Sequence, residues 1–263
     1  ENYDGYHFSQ ASPDVFNPYS LLNCFVDKNF GAYWFSSGTP TYLINMLRKF
    51  KVLPAKIGRS LARSSAFDAP TENLKTITPL LYQSGYITIK GYDKMSQLFT
   101  LDLPNKEIKV GLFESLLPYY LEGMYAEEGD VAIAQMSVLI RQGDMDGALR
   151  LLQEFLGTVP YCNNTNYEGH YQQVLFIIFT LLTHFVVDVE VHTPNGRVDV
   201  VMETEDTLYL IELKLNKSAQ AAMQQINLKQ YDQRFARCGK PIVKVGVNFD
   251  AKKGNIEDWT IEP

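Results

Sequence analysis

The sequence is poor in cysteine and has none of the cysteine spacings that bind zinc or form redox centres. Its three cysteines, Cys24, Cys162 and Cys238, are odd in number and far apart among 263 residues. These features exclude a disulfide-stabilised extracellular scaffold and a cysteine-based zinc module. We therefore expect a reduced, cytoplasmic setting.

Segments that would cross a membrane or bind ATP are also missing. The longest apolar run, residues 174–187, is interrupted by threonine and histidine and is too short for a membrane span. No signal peptide is visible. The pair Gly239-Lys240 is followed by proline rather than by serine or threonine, so it does not complete a phosphate-binding loop. We expect no ATP site in this chain and no membrane partner.

An overall excess of positive charge, which is typical of nucleic-acid-binding proteins, is absent as well. The net charge is −6, but the basic residues are concentrated in two segments. Residues 42–75 contain seven Lys or Arg against two Asp or Glu, and residues 206–253 contain nine against four. The candidate nucleic-acid contacts in the second segment are Lys217, Lys229, Arg234 and Arg237. The alternative is that these residues form solvated helix faces.

The most informative feature that is present is an aspartate followed, after twelve residues, by Glu212-Leu213-Lys214. Residues 196–201 and 208–215 are short, rich in aliphatic residues and separated by a polar turn, which predicts two paired strands. Residues two apart in a strand share a face, so Glu212 and Lys214 point the same way. Pairing across the turn would bring Asp199 close to them. Two carboxylates and a lysine on such apolar strands predict a site for a hard cation.

This arrangement resembles the PD-(D/E)XK nuclease superfamily, with Val198 in place of the proline. Glu168, which opens an upstream amphipathic helix, matches the additional acidic ligand of many members. The segment 221–231 resembles the glutamine-containing helix that follows the core strands, with Gln225 as the matching residue. Each residue also has a structural alternative, since Glu168 could simply favour a helix dipole and Gln225 could be a helix residue that touches the site.

The resemblance implies a metal-dependent nuclease. Asp199 and Glu212, with the backbone carbonyl of Leu213, would bind Mg²⁺ or Mn²⁺, and Lys214 would act on the attacking water or on the charge of the phosphate. Glu168 would complete the site and Gln225 would orient the water or a ligand carboxylate. The expected substrate is nucleic acid, with DNA favoured.

Within the superfamily, the sequence most resembles the nuclease-like domain at the C-terminus of bacterial AAA-ATPase-like proteins. Residues 3–8, 16–22 and 33–39 look like the end of that ATPase-like region. The resemblance implies a partner, the N-terminal P-loop ATPase domain of a longer protein. The chain starts at Glu1 without an initiating methionine, which also suggests a piece of a longer protein.

The sequence predicts an α/β protein with two domains. Residues 1–128 are expected to be helical and winged-helix-like, because helices precede a hairpin with strands near 86–90 and 98–101. Residues 129–263 are expected to form a helical hairpin and a restriction-endonuclease-like core with a mixed sheet.

The rival interpretation of the function is a catalytically inactive nuclease fold that binds DNA or regulates the missing ATPase domain, because a fold does not by itself imply an activity.

Overall fold

The structure is a computed structural model that describes most of the chain. It covers residues 2–9, 11–36, 41–58, 60–67, 75–121, 126–158, 168–182, 188–192, 197–228, 235 and 239–263, with the backbone alone at 126–127, 168–172, 188–192 and 197–199. The chain divides into two compact units, Glu1–Leu116 and Leu117–Pro263. The domain assignment made from the sequence, with a boundary after residue 128, remains a prediction.

The N-terminal unit combines short helices with a small antiparallel sheet. Its elements are α1 (Pro18–Asp27), α2 (Tyr33–Ser36), α3 (Thr41–Lys49), a 3-10 turn (Pro54–Lys56), β1 (Ser60–Ala62), α4 (Ser64–Phe67), α5 (Thr78–Gln83), β2 (Thr88–Asp93), β3 (Leu98–Asp102) and the start of α6 (Lys106–Tyr120). The strand order is β1-β3-β2, and both pairs are antiparallel. The hairpin expected from the alternation of apolar residues is therefore present.

Local chemistry explains where two of these helices begin. The Asn17 side chain accepts hydrogen bonds from the backbone N–H groups of Tyr19 (3.0 Å) and Ser20 (3.3 Å), which caps α1. Helix α5 begins at Thr78 with Pro79 in its first turn, where the missing N–H of proline is harmless. Residues 75–77 just before it are bends.

The C-terminal unit is a layered α/β structure around one mixed sheet. Its elements after α6 are α7 (Ala126–Arg141), α8 (Met145–Thr158), α9 (Glu168–Leu182), β4 (Asp188–His192), β5 (Arg197–Glu203), β6 (Leu208–Leu215), α10 (Ala219–Leu228), β7 (Ile242–Asp250) and β8 (Asn255–Glu262). The strand order is β4-β5-β6-β7-β8, and the β6–β7 pair is parallel while its neighbours are antiparallel. The predicted α/β class with a restriction-endonuclease-like core is confirmed.

The centre of this sheet is β6, which pairs with β5 on one side and β7 on the other. Residues Leu208 to Lys214 are all buried, so the strand has no solvent-facing side. On one face, Leu208 and Leu210 pack with Met223 and Ile226 of α10. None of the described helices is long and apolar enough to cross a membrane.

Candidate active site

The register of β5 and β6 places the predicted acidic residues directly opposite each other. Asp199 pairs with Glu212 and Arg197 pairs with Lys214 in the antiparallel ladder. Opposed positions in such a ladder lie on the same face of the sheet, with Cβ atoms about 5 Å apart. Positions 199, 212 and 214 are therefore neighbours on one face. The structure describes the backbone at position 199 and the side chains of Glu212 and Lys214.

Glu212 and Lys214 form a buried ion pair. Lys214 Nζ lies 2.6 Å from Glu212 Oε1, and the residues are 5% and 0% exposed, respectively. Lys214 Nζ also donates to Oε1 of the half-buried Gln225. A buried charge without a partner is costly, so the Lys214 ammonium group is stable only where both contacts are made. The two contacts therefore fix its position.

A glycine lets α10 approach the sheet closely enough for Gln225 to reach Lys214. Gly246 in β7 is the register partner of Glu212. A Cβ atom at Gly246 would lie 2.5 Å from the carbonyl oxygen of Ala219 and 2.9 Å from the backbone N of Met223. No larger residue fits without moving the helix, which is the usual meaning of a glycine inside a strand.

The segment between β6 and α10 is held by side chains of β7 and β8. Asn248, which is the register partner of Lys214 and is 2% exposed, accepts from the backbone N–H of Lys217 (2.9 Å) and donates to Glu257 Oε2 (2.9 Å). Asp258 accepts from the backbone N–H of Ala219 at the start of α10 (3.3 Å). Sequence reasoning missed Asn248, Asp258 and Gly246. Only Gly246 carried a signal, because it interrupts a strand that is rich in valine.

The remaining predicted residues have different positions. Leu213 is buried and, by alternation, its side chain lies on the opposite face from Glu212. Glu168 is the first residue of α9, where the structure describes its backbone. Lys217 is exposed. The other three predicted nucleic-acid contacts lie outside the described residues: Lys229, Arg234 and Arg237.

The donor set suits a hard divalent cation. The Glu212 carboxylate has two oxygens and several lone pairs, so one can bind Lys214 while another faces a cation. Carboxylate oxygens at Glu212 and at the opposed position Asp199 are the ligands that Mg²⁺ and Mn²⁺ prefer. Among the side chains that the structure describes, which exclude those of Asp199 and Glu168, no group of three or more His, Cys, Asp or Glu could hold a metal.

Comparison with known proteins identifies the C-terminal segment. Residues 166–259 match the family model described as PD-(D/E)XK nuclease superfamily, which confirms the resemblance of this segment to that superfamily. The matched residues include α9, the paired strands and the Glu212–Lys214 ion pair.

One relative aligns with nearly the whole chain. It is described as "Uncharacterized protein in vnfD 5'region" of Azotobacter chroococcum mcd 1, is 30% identical over 271 residues, and the match covers 99% of this chain and 51% of the relative. The chain thus spans about half the length of this relative. No solved structure matches the chain.

Proposed function

We propose that the chain is a metal-dependent nuclease that hydrolyses phosphodiester bonds of nucleic acid, with DNA as the expected substrate. The observation that carries the proposal is the buried Lys214 ammonium group, held by Glu212 directly opposite position 199 within the superfamily domain. Glu212 already neutralises Lys214, so the acidic residue opposite Glu212 adds a negative charge that a bound cation would balance.

Each residue of the site has a defined part in this proposal. Asp199 and Glu212, with the Leu213 carbonyl, would hold Mg²⁺ or Mn²⁺, which supplies Lewis-acid activation of water and neutralises phosphate charge. Lys214 would donate to the attacking water or to a phosphate oxygen, where a positioned cation stabilises developing negative charge. Gln225, whose Oε1 accepts from Lys214, keeps that ammonium group in place. Glu168 would complete the ligand set.

Nucleic acid would approach along the segment after β6. Lys217, Lys229, Arg234 and Arg237 are proposed to contact backbone phosphates, so binding should weaken as salt concentration rises. The exposure of Lys217 is compatible with this role.

Two proposals concern the rest of the protein. The N-terminal unit has the order α3-β1-α4-α5-β2-β3 and the sheet order β1-β3-β2, which supports a winged-helix-like module. The relative is about twice as long as this chain, which leaves room in such proteins for the P-loop ATPase partner.

A cleavage assay tests the nuclease proposal. Single- and double-stranded DNA and RNA are incubated with the protein and Mg²⁺ or Mn²⁺, with EDTA as the metal-free control. Asp199→Asn should reduce the cleavage rate by roughly 10²-fold or more, the scale for removal of a positioned catalytic group. Asp206→Asn is the matched control, because Asp206 lies exposed in the turn between the same two strands.

The rival function, an inactive nuclease fold that binds DNA, predicts a different pattern. In that case the nucleic acid stays intact with or without metal, for wild type and for Asp199→Asn alike. DNA binding, measured by fluorescence anisotropy, persists. Cleavage that is equal in wild type and Asp199→Asn would come from a contaminant and would exclude the enzymatic proposal.

A further inference from the structure

The N-terminal unit contains a cavity that the nuclease function does not use. Its volume is about 330 Å³, within the range of about 300–1,000 Å³ typical of small-molecule sites. Five hydrophobic residues from three separate stretches of chain line it: Phe50, Val52, Ile77, Leu81 and Ile87. Ile77, Leu81 and Ile87 are each less than a tenth exposed, so this wall belongs to the packed interior of the unit.

The rest of the lining is basic and rich in hydroxyl groups. The lining also includes two exposed lysines, Lys56 and Lys75, and three residues that carry hydroxyl groups, Ser60, Thr76 and Thr78. Among the described residues that line the cavity, none carries a carboxylate. This agrees with the sequence, in which residues 42–75 have seven basic and two acidic residues.

One carboxylate beside the lining, that of Asp102, accepts a hydrogen bond from the backbone. Gly58 lines the cavity with a φ of +85°, and a Cβ atom there would collide with Asp102 Oδ1. That oxygen accepts a hydrogen bond from the backbone N–H of Leu103 at 2.7 Å. The cavity lining therefore combines apolar side chains with two lysines and three hydroxyl-bearing residues.

We propose that this cavity binds a nucleotide, with the base against the apolar wall and the phosphate at Lys56 and Lys75. A simple anion would gain nothing from five hydrophobic residues, and an apolar ligand would gain nothing from two lysines. Lysine is a compact point charge suited to phosphate, and a base presents a flat apolar face. The same chemistry is offered by a free nucleotide and by one nucleotide of a single strand. The site is independent of the nuclease proposal, because its residues and its test are separate.

Calorimetric titration of the chain tests this binding without any cleavage step. The ligands are adenosine monophosphate, adenosine and inorganic phosphate, and the monophosphate should bind more tightly than either part alone. Lys56→Gln with Lys75→Gln should weaken its binding by about tenfold or more, the scale of a lost hydrogen bond to a charged group. Lys28→Gln with Lys94→Gln is the matched control, because these exposed lysines of the same unit lie outside the cavity and the charge change is equal.

The outcomes separate clearly. No binding of adenosine monophosphate, equal binding by the cavity variant and wild type, or binding no tighter than that of phosphate would each overturn the proposal. Weakening confined to the cavity variant supports it. A short single-stranded oligodeoxyadenylate that displaces the bound monophosphate identifies the ligand as part of a strand, whereas failure to displace it identifies a free nucleotide.

Discussion

The two units each bury a glutamate, and the two residues are stabilised in different ways. Glu107, in the first turn of α6, is 5% exposed and accepts a hydrogen bond from the backbone N–H of Trp34 at 2.9 Å. Glu212, at the centre of the C-terminal sheet, is 0% exposed and is paired with the Lys214 ammonium group. Burial raises the pKa of Glu107, and its hydrogen bonds with Trp34 and Ser20 oppose this rise.

The difference shows that a buried carboxylate alone does not mark a functional site. Glu107 connects α6 to α2, because its carboxylate accepts from the backbone N–H of Trp34 in the first turn of α2. A backbone donor at the start of a helix is sufficient to hold a buried carboxylate in place. Glu212 has a buried cation and an opposed acidic position, which is an expensive arrangement for stability alone. The following predictions test this contrast.

The largest effect is expected from Lys214→Met. It leaves the Glu212 charge buried without its cation, so the free energy of unfolding should fall by about 3–5 kcal/mol. Glu212→Gln combined with Lys214→Met should recover most of this loss, because neither side chain is then charged. Urea denaturation of wild type, both single variants and the double variant measures the coupling. Additive losses would mean that the pair is not coupled.

Metal binding should stabilise the C-terminal unit. A cation that binds only the folded state adds about 2.7 kcal/mol at a hundredfold excess over its dissociation constant. Asp199→Asn should lose most of the resulting rise in melting temperature with Mn²⁺, while Asp206→Asn should keep it. If Asp199→Asn gains as much from Mn²⁺ as wild type, Asp199 is not a ligand.

Gly246→Ala should destabilise the protein by about 1–3 kcal/mol, because the new methyl group would meet the backbone of α10. Gly91→Ala in β2 is the control in the other sheet, where a Cβ atom would make ordinary contact with Thr100 at 3.8 Å. That change should be neutral or slightly stabilising. Equal losses at the two positions, measured by urea denaturation, would argue against the close approach at Gly246.

The smallest effect is expected from Glu107→Gln, and it depends on pH. The pKa of Glu107 is higher in the folded protein than its ordinary value. Between those two values the folded state binds more protons than the unfolded state, so stability falls as pH rises through this window. Glu107→Gln removes this contribution, and its stability relative to wild type should therefore increase with pH there. Unfolding measured at several pH values from about 4 to 7 checks the sign.

Part of this structure could be predicted from local sequence. The strands expected at 196–201 and 208–215 are β5 and β6, and the helix that Glu168 was expected to open is α9. These elements have continuous apolar patterns, and the polar turn between the strands fixes which of them pair. The placement of Asp199 opposite Glu212 followed from that pairing.

Other parts had no local signal. The edge strand β8 is largely polar along its length, and it is held by long-range contacts such as Trp259 Nε1 to Asp146 Oδ1 (2.8 Å). Asn248 and Asp258 resemble ordinary surface residues in the sequence, and only the register of β6, β7 and β8 brings them to the start of α10. Their positions depend on tertiary pairing, which local patterns do not contain.

The parallel pairing of β6 and β7 has a consequence for the order of folding. The β5–β6 hairpin closes through a short turn, in which the Thr204 N–H donates to the Thr207 carbonyl at 2.9 Å, whereas β7 can pair only after the crossover through α10 has formed. We therefore expect Glu212 and Lys214 to remain in water until α10 docks, so that the ion pair loses its hydration late in folding. We expect Met223→Ala in α10 mainly to accelerate unfolding, and Val200→Ala in the hairpin to slow folding, in stopped-flow kinetics.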